Sequence, residues 1–63
     1  MDFKLKFNLD NDAFNESFSG PEWEIARILD NVGTTITDYY INGLRHGKVR
    51  DKNGNTVGSW EID

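Results

Sequence analysis

The chain has 63 residues with no cysteine, one proline and one histidine, and each scarcity excludes a class of structure or site. Without cysteine there are no disulfide bonds and no thiolate metal ligands. Because His46 is the single histidine, no metal or catalytic site that needs two histidines can form within one chain. Apolar runs reach only two or three residues, so the sequence predicts no membrane-spanning segment. The opening "MDFKLKFNLD" lacks the apolar block of a secretion signal.

Basic residues are also few, with seven lysines and arginines against eleven acids and a net charge of −4. Binding of a phosphate backbone requires clustered basic side chains, so we expect no direct contact with nucleic acid. The acids are scattered and interleaved with bases, which is typical of a solvated surface. The alternative is an acidic protein that imitates nucleic-acid phosphates with its carboxylates.

Apolar residues make up 37% of the chain and include four phenylalanines, two tyrosines and two tryptophans. That content is enough for one small core and is too high for a typical disordered chain. A chain of this length buries only about 60% of its unfolded surface, so its stability is expected to be marginal. We expect a single domain over residues 1–63.

The first predicted element is a strand over residues 3–9. Apolar and polar side chains alternate there, which indicates one buried and one solvated face. The apolar positions are Phe3, Leu5, Phe7 and Leu9.

The next segment, "DNDAFNESFSG", is polar, and we interpret it as a loop held to the core by Phe14 and Phe18. Ser19 stands three residues before Glu22, which is the spacing of a capping box. Pro21 is expected in the first helical turn, where its missing N–H costs nothing.

A helix is predicted from there to about Tyr40, because apolar residues recur at spacings of three and four. The stripe keeps its phase through Gly33, and Asn42-Gly43 provides a C-terminal stop. In the alternative interpretation the helix ends at Val32 and residues 34–41 form a strand. The stripe consists of Ile25, Ile28, Leu29, Val32, Ile36 and Tyr40.

Two large apolar residues do not fit the stripe, since Trp23 and Ile41 point about 160° away from its centre. We expect Ile41 to lie beyond the last regular turn. Trp23 is either exposed or, the interpretation we favour, folded back onto Phe14, Phe18 and the stem of Arg27.

The stretch "RDKNGNTVGSWEI" predicts a hairpin and a final strand. Aspartate first and glycine fourth in "DKNG" indicate a three-residue loop in which Asp51 faces Asn55 and Val49 faces Val57. A two-residue Asn-Gly turn is the alternative, and it would put Val49 opposite Gly58.

A metal site in this hairpin is not expected, although Asp and Asn side chains alternate around Gly54. A calcium loop of the EF-hand type needs about a dozen residues and a distal bidentate glutamate. The nearest acid, Glu61, falls near the far end of the following strand.

Val57 and Trp60 are three residues apart, which is the wrong spacing for one face of a regular strand. A β-bulge at Gly58-Ser59 would bring Trp60 and Ile62 onto the face of Val57. Without a bulge, Trp60 and Ile62 lie on the opposite face from Val57.

These elements predict an α+β fold with the order β-α-β-β. If each element reverses direction, the strands form an antiparallel three-stranded sheet in the order 1-3-2, covered on one face by the single helix. The predicted core holds the apolar face of the first strand, the helix stripe, Val49, Val57 and Trp60.

The pattern "VRDKNGNTVGSWEI" at 49–62 and "EIARIL" at 24–29 resemble a group of small uncharacterised proteins encoded by bacteriophages and prophages. The resemblance covers about two thirds of the chain and implies no activity. It implies a phage origin and a location in the cytoplasm of the bacterial host. In that group alanine usually stands where this chain has Gly33.

Catalytic chemistry is not indicated. The glycines are spread over turns rather than gathered in a phosphate loop, and the serines have only His46 as a candidate base. We expect that the protein is not an enzyme and that it binds no cofactor and no small molecule. A small basic patch, Arg45, His46 and Lys48 with Arg50 nearby, is interpreted as a solvated loop.

The function favoured by the sequence is a protein-binding module, because one helix provides too little cover for every large apolar side chain. A second copy of the chain could cover these side chains in a homodimer that buries sheet surface or pairs edge strands. The other candidate partner is a host or phage protein. The acidic mimic, or an inhibitor of host defence, is the alternative function. The candidate partner-binding residues are Trp23, Tyr39, Trp60 and Ile62.

Overall fold

The computed structural model describes residues 1–15 and 21–63. Its three strands form one antiparallel sheet in the order β1-β3-β2, with the last strand in the centre. The predicted α+β fold and strand order are therefore confirmed. The elements are strand β1 (Phe3–Phe7), a 3₁₀ turn (Asp12–Phe14), helix α1 (Glu22–Ile41), strand β2 (His46–Arg50) and strand β3 (Thr56–Ile62).

Helix α1 continues through Gly33, so the predicted long helix is confirmed and the alternative strand over 34–41 is wrong. The hydroxyl groups of Thr34 and Thr35 donate to the Asn31 carbonyl oxygen at 2.9 and 3.0 Å. These bonds to the preceding turn satisfy polar side chains inside a helix, at the point where "GTTIT" is poor helix material.

The start of the helix differs in detail from the prediction. Pro21 stands at the N-cap position rather than inside the first turn, and its carbonyl oxygen accepts the Ile25 N–H at 3.0 Å. Ser19, on which the predicted capping box rested, and Phe18 lie outside the described residues.

The end of the helix has the predicted stop at Asn42-Gly43. Gly43 adopts a φ of 82°, and its N–H donates to the Tyr40 carbonyl oxygen at 3.0 Å. The Leu44 N–H donates to the Tyr39 carbonyl oxygen at 2.9 Å. This pair of bonds is a Schellman motif, which needs a left-handed residue at the position of Gly43.

The hairpin between β2 and β3 has the predicted three-residue loop. The Asp51 N–H donates to the Asn55 carbonyl oxygen at 2.9 Å, and the Gly54 N–H donates to the Asp51 carbonyl oxygen at 3.0 Å. Gly54 has a φ of 85°, as the residue after a type I turn requires.

Strand β3 contains a β-bulge, but not at the predicted position Gly58-Ser59: both of these residues pair regularly, and the extra residue is Val57. Val49 pairs with Gly58 and Arg50 pairs with Thr56, so no β2 residue stands opposite Val57. The predicted pairing of Val49 with Val57 is therefore wrong, although the loop was right, because the bulge shifts the register by one. The bulge places Val57 and Trp60 together in the core.

Strand β1 pairs regularly with β3, from Phe3 opposite Ile62 to Phe7 opposite Gly58. Beyond the strands, the N–H groups of Asp2 and Asp63 each donate to the other's carbonyl oxygen, at 3.1 and 3.0 Å. The two ends of the described chain therefore lie side by side.

The core lies between α1, the 3₁₀ turn and the sheet, and Phe14 is completely buried in it, as predicted. Its members are Ala13, Phe14, Ile28, Val49, Val57 and Trp60. Helix α1 packs against β2 and the 3₁₀ turn. Four predicted core positions are wrong. Phe3 and Leu9 are 50% and 40% exposed, since the helix lies towards β2 and the strand ends at Phe7. Leu29 and Tyr40 of the helix stripe are 49% and 46% exposed.

Candidate functional site

Tyr39 and Trp60, two of the predicted partner-binding residues, lie in contact with ring centroids 5.7 Å apart. Trp60 is only 2% exposed, because its ring lies over Gly47 on the neighbouring strand and near Phe3. A Cβ atom at Gly47 would stand 2.5 Å from the indole Nε1. Trp60 is thus a core residue, and Tyr39 covers it from the helix.

Ile62, the third predicted residue, belongs to an apolar surface at the C-terminal end of α1. Ile36, Tyr40, Ile41 and Ile62 surround a shallow depression of about 290 Å³, and none of the described residues that line it is charged. Ile41 is 76% exposed and Tyr40 is 46% exposed. We call these four residues the apolar patch.

One side of the apolar patch is held in place by Arg45. Its guanidinium carbon lies 3.9 Å from the centre of the Tyr40 ring, a cation–π contact. The Nη1 atom also donates to the carbonyl oxygens of Leu44 and Tyr40, at 3.2 and 3.4 Å. The Tyr40 ring is therefore a fixed wall of the patch.

Trp23, the fourth predicted residue, is separate from the others. It is 66% exposed, so the prediction that it folds back onto the core is wrong. Tyr39 lies sixteen positions further along the helix, which corresponds to about 24 Å along the axis. The structure brings together Tyr39, Trp60 and the Ile62 region, and leaves Trp23 at the other end of the helix.

Sequence reasoning missed Ile41 as a surface residue. It was expected beyond the last regular turn, and it is instead the last residue of α1. Its position off the helix stripe was the available signal, since an apolar residue opposite the buried face of a helix points towards solvent.

A buried carboxylate joins the first turns of the helix to the hairpin loop. Glu24 accepts bonds from Arg27 Nε and Nη2 at 2.7 and 3.0 Å and from the Lys52 N–H at 2.6 Å. The bond from Arg27 is the main reason that the pKa of Glu24 lies below its usual value, and it likewise raises the pKa of Arg27.

A second carboxylate, that of Asp51, organises the loop itself. It accepts the Asn11 side-chain amide at 2.9 Å and the N–H groups of Asn53 and Asn55 at 2.9 and 3.0 Å. The bond from Asn11 is the largest of several effects that lower the pKa of Asp51. Both acids act as structural acceptors that stay ionised, a role unlike that of a general acid.

A second depression of about 490 Å³ lies between α1 and β2. One wall carries Arg27, Asn31, Thr35 and Tyr39, spaced four apart on the helix, and Trp60 lies at its base. Its other wall includes three successive residues of β2, His46, Gly47 and Lys48. Successive side chains point to opposite faces of a sheet, so this depression follows the strand edge. We call it the β2-edge groove.

Among the described residues, no three histidines, cysteines, aspartates or glutamates are arranged to hold a metal ion. Within residues 1–15 and 21–63, no helix is both long and apolar enough to cross a membrane. Comparison of the whole chain with known proteins found no matching family model, no matching curated protein and no matching solved structure.

Proposed function

We propose that this protein is a small protein-binding module, a phage accessory protein acting in the cytoplasm of a bacterial host. Its apolar patch binds a second polypeptide chain, and the first partner we propose is a second copy of itself. The observation that carries the proposal is Ile41, an isoleucine with 76% of its surface exposed beside an uncharged depression. Contiguous exposed apolar patches on soluble proteins are often interaction surfaces.

The shape of the apolar patch favours a protein over a small molecule. Sites for small molecules enclose most of the ligand surface and add a few polar groups that orient it. The depression at Ile36 and Ile62 is shallow, and Thr37 is its one polar lining residue among those described. A flat apolar surface with a shallow depression can accommodate a protruding side chain from another polypeptide chain.

A second copy fits because the apolar patch contains both a protrusion and a recess. In a two-fold symmetric contact, the same surface of each subunit meets itself in reverse. Ile41 of one subunit would then enter the depression between Ile36 and Ile62 of the other. Each copy carries a net charge of −4, so contact at an uncharged surface also avoids repulsion between acids.

The acidic mimic is less well supported. A mimic of nucleic acid requires acids gathered on one exposed face. Glu24 and Asp51 are buried and bonded within the molecule, and Asp63 forms an ion pair with Lys4 at 2.7 Å. These three acids are not available for such a face.

Sedimentation equilibrium of the full chain tests the proposal. We expect a concentration-dependent dimer for the wild type and a monomer for Ile41→Lys, because a buried lysine in the contact would be unpaired. Lysine is favourable near a helix C-terminus, so the substitution should leave the helix intact, as circular dichroism would show.

The matched control is Trp23→Glu, which replaces the other strongly exposed apolar residue of α1 with a charge that suits the helix N-terminus. We expect this variant to dimerise like the wild type. A wild-type chain that stays monomeric at millimolar concentration, or a dimer that Trp23→Glu disrupts and Ile41→Lys does not, would contradict the proposal.

A further inference from the structure

The outer edge of β2 presents unpaired backbone groups. The Ile62 N–H donates to the Arg45 carbonyl oxygen at 2.7 Å, which sets the alternation of bonds between β2 and β3. Alternate residues His46, Lys48 and Arg50 therefore direct their N–H and C=O groups away from β3. Arg27 Nη2 donates to the Arg50 carbonyl oxygen at 3.2 Å. The edge groups of His46 and Lys48 have no partner among the described residues.

The base of the β2-edge groove carries an unused hydrogen-bond donor. The Nε1–H group of Trp60 has no acceptor among the described residues. It reaches solvent through the groove, since no described side-chain nitrogen or oxygen is both buried and unpaired. Here it lies beside Gly47, and both residues line the groove. The absence of a side chain at Gly47 leaves this donor accessible from the groove.

The charge around the β2-edge groove is opposite to that of the whole chain. Three cationic side chains line it, Arg27, Lys48 and Arg50, with Asp51 as the only acid among the described lining residues. Arg27 is already paired with Glu24. The Asp51 carboxylate is already engaged by Asn11 and by the loop N–H groups. The side chains of His46, Lys48 and Arg50 are exposed and form no ion pair with any described residue.

From these features we propose that the β2-edge groove binds a short, acidic, extended segment of another protein as a fourth strand. Backbone groups of the segment pair with those of His46 and Lys48. Its acidic side chains lie on the open sheet face beside Lys48 and Arg50, and an oxygen atom of the segment accepts the Trp60 Nε1–H. This mode of recognition combines backbone bonds for affinity with alternate side chains for specificity. It uses a different surface from the apolar patch.

Other occupants fit the β2-edge groove less well. A second copy of β2 added in antiparallel fashion would place basic side chains opposite basic side chains, which is destabilising. A nucleic-acid backbone offers no regular alternation of N–H and C=O groups with which the edge groups of His46 and Lys48 could pair. Lysine on an edge strand often serves only to prevent pairing between copies. That role leaves the Trp60 donor and the groove unexplained.

The test is a titration of the ¹⁵N-labelled full chain with a blocked peptide of alternating Glu and Thr, about eight residues long. We expect shifts of the His46 and Lys48 amides and of the Trp60 indole Nε1–H. Lys48→Glu should weaken binding about tenfold, which corresponds to about 1.4 kcal/mol.

Lys6→Glu is the matched control, because Lys6 on β1 and Lys48 on β2 both pair with Ser59, from its two sides. This substitution makes the same charge change on the other edge strand. We expect the Lys6→Glu variant to bind the peptide with an affinity within about twofold of that of the wild type. The Ile41→Lys variant should bind normally, so the proposed function and this inference can fail separately.

Three results would overturn the inference. The first is the absence of shifts at Trp60 Nε1–H at millimolar peptide. The second is equal weakening by Lys6→Glu and Lys48→Glu, which would indicate unspecific attraction. The third is equal or tighter binding of the corresponding Lys-Thr peptide or of an oligothymidine of the same length.

Discussion

At the scale of single residues, two glycines differ in whether the surrounding structure leaves room for a side chain. A Cβ atom on Gly58 would overlap the Lys6 carbonyl oxygen and lie 2.5 Å from the Phe7 Cα atom. A Cβ atom on Gly33, in the middle of α1, would have no atom within 4 Å. Gly58 is therefore required by the close approach of β1, and Gly33 is not required by packing.

Alanine substitutions at the two positions should therefore change the free energy of unfolding in opposite directions. Gly58→Ala is expected to destabilise the fold by about 2 kcal/mol or more, because backbone atoms of β1 must move. Gly33→Ala is expected to stabilise it by about 0.5–1 kcal/mol through helix propensity. Urea denaturation of both variants measures the difference. A neutral Gly58→Ala would show that β1 does not approach β3 as described.

The residue scale also shows where sequence reasoning ends. The spacing of Val57 and Trp60 predicted a bulge, because both residues are too apolar to lie on opposite faces. It placed the bulge at Gly58-Ser59 rather than at Val57, since its position depends on which β2 residue each β3 residue meets. The exposure of Trp23 depends likewise on what packs beside it, and its position in the helix pattern did not decide this.

At the scale of elements, Glu24 and Asp51 tie three segments that are distant in sequence. Glu24 links the start of α1 to the Lys52 N–H of the hairpin loop, and Asp51 links that loop to Asn11 before the 3₁₀ turn. Helix periodicity and turn chemistry predicted each element. They did not predict these connections, because Glu24 looked like an ordinary acid near a helix N-terminus.

This arrangement predicts acid sensitivity. The pKa values of Glu24 and Asp51 are lowered in the folded state from ordinary values of 4.5 and 3.8. Protonation therefore favours the unfolded chain, and the stabilisation is fully present above these values and lost as pH falls through and below them. We expect the free energy of unfolding to be nearly constant from pH 7 to about 5 and to decrease below that. Denaturant titrations at several pH values measure it.

Glu24→Gln should make that decrease shallower and lower the stability at pH 7 by about 1–2 kcal/mol, since an ionised acceptor is lost. The control is Asp30→Asn, an exposed acid of the same helix whose side chain bonds to no described residue. It should leave the pH profile unchanged. An unchanged profile for Glu24→Gln would contradict the role assigned to this carboxylate.

At the scale of the whole molecule, the shape follows from unequal element lengths. A 20-residue helix is about 30 Å long, whereas a five-residue strand spans about 17 Å. The molecule measures 38 by 17 by 17 Å, and its Cα radius of gyration is 12.3 Å. A compact chain of this length would have about 10–11 Å. The helix is longer than the sheet beneath it, which is why apolar residues towards its end remain exposed.

Small-angle scattering can check this shape. We expect the Ile41→Lys variant to give a radius of gyration slightly above 12.3 Å, the excess coming from side chains and hydration. The wild type should give a larger value that rises with concentration as the dimer forms. A value near 10–11 Å for Ile41→Lys would contradict the long helix.

The pairing of Asp2 with Asp63 has a practical consequence for work on this molecule. Any affinity tag, fluorescent protein or surface linker fused to either terminus emerges from the same corner, because the two backbones are bonded there. That corner adjoins Ile62 and so borders the apolar patch. A bulky fusion at either end can shield this surface, whereas a label on the hairpin loop, at Asn53, stands clear of it.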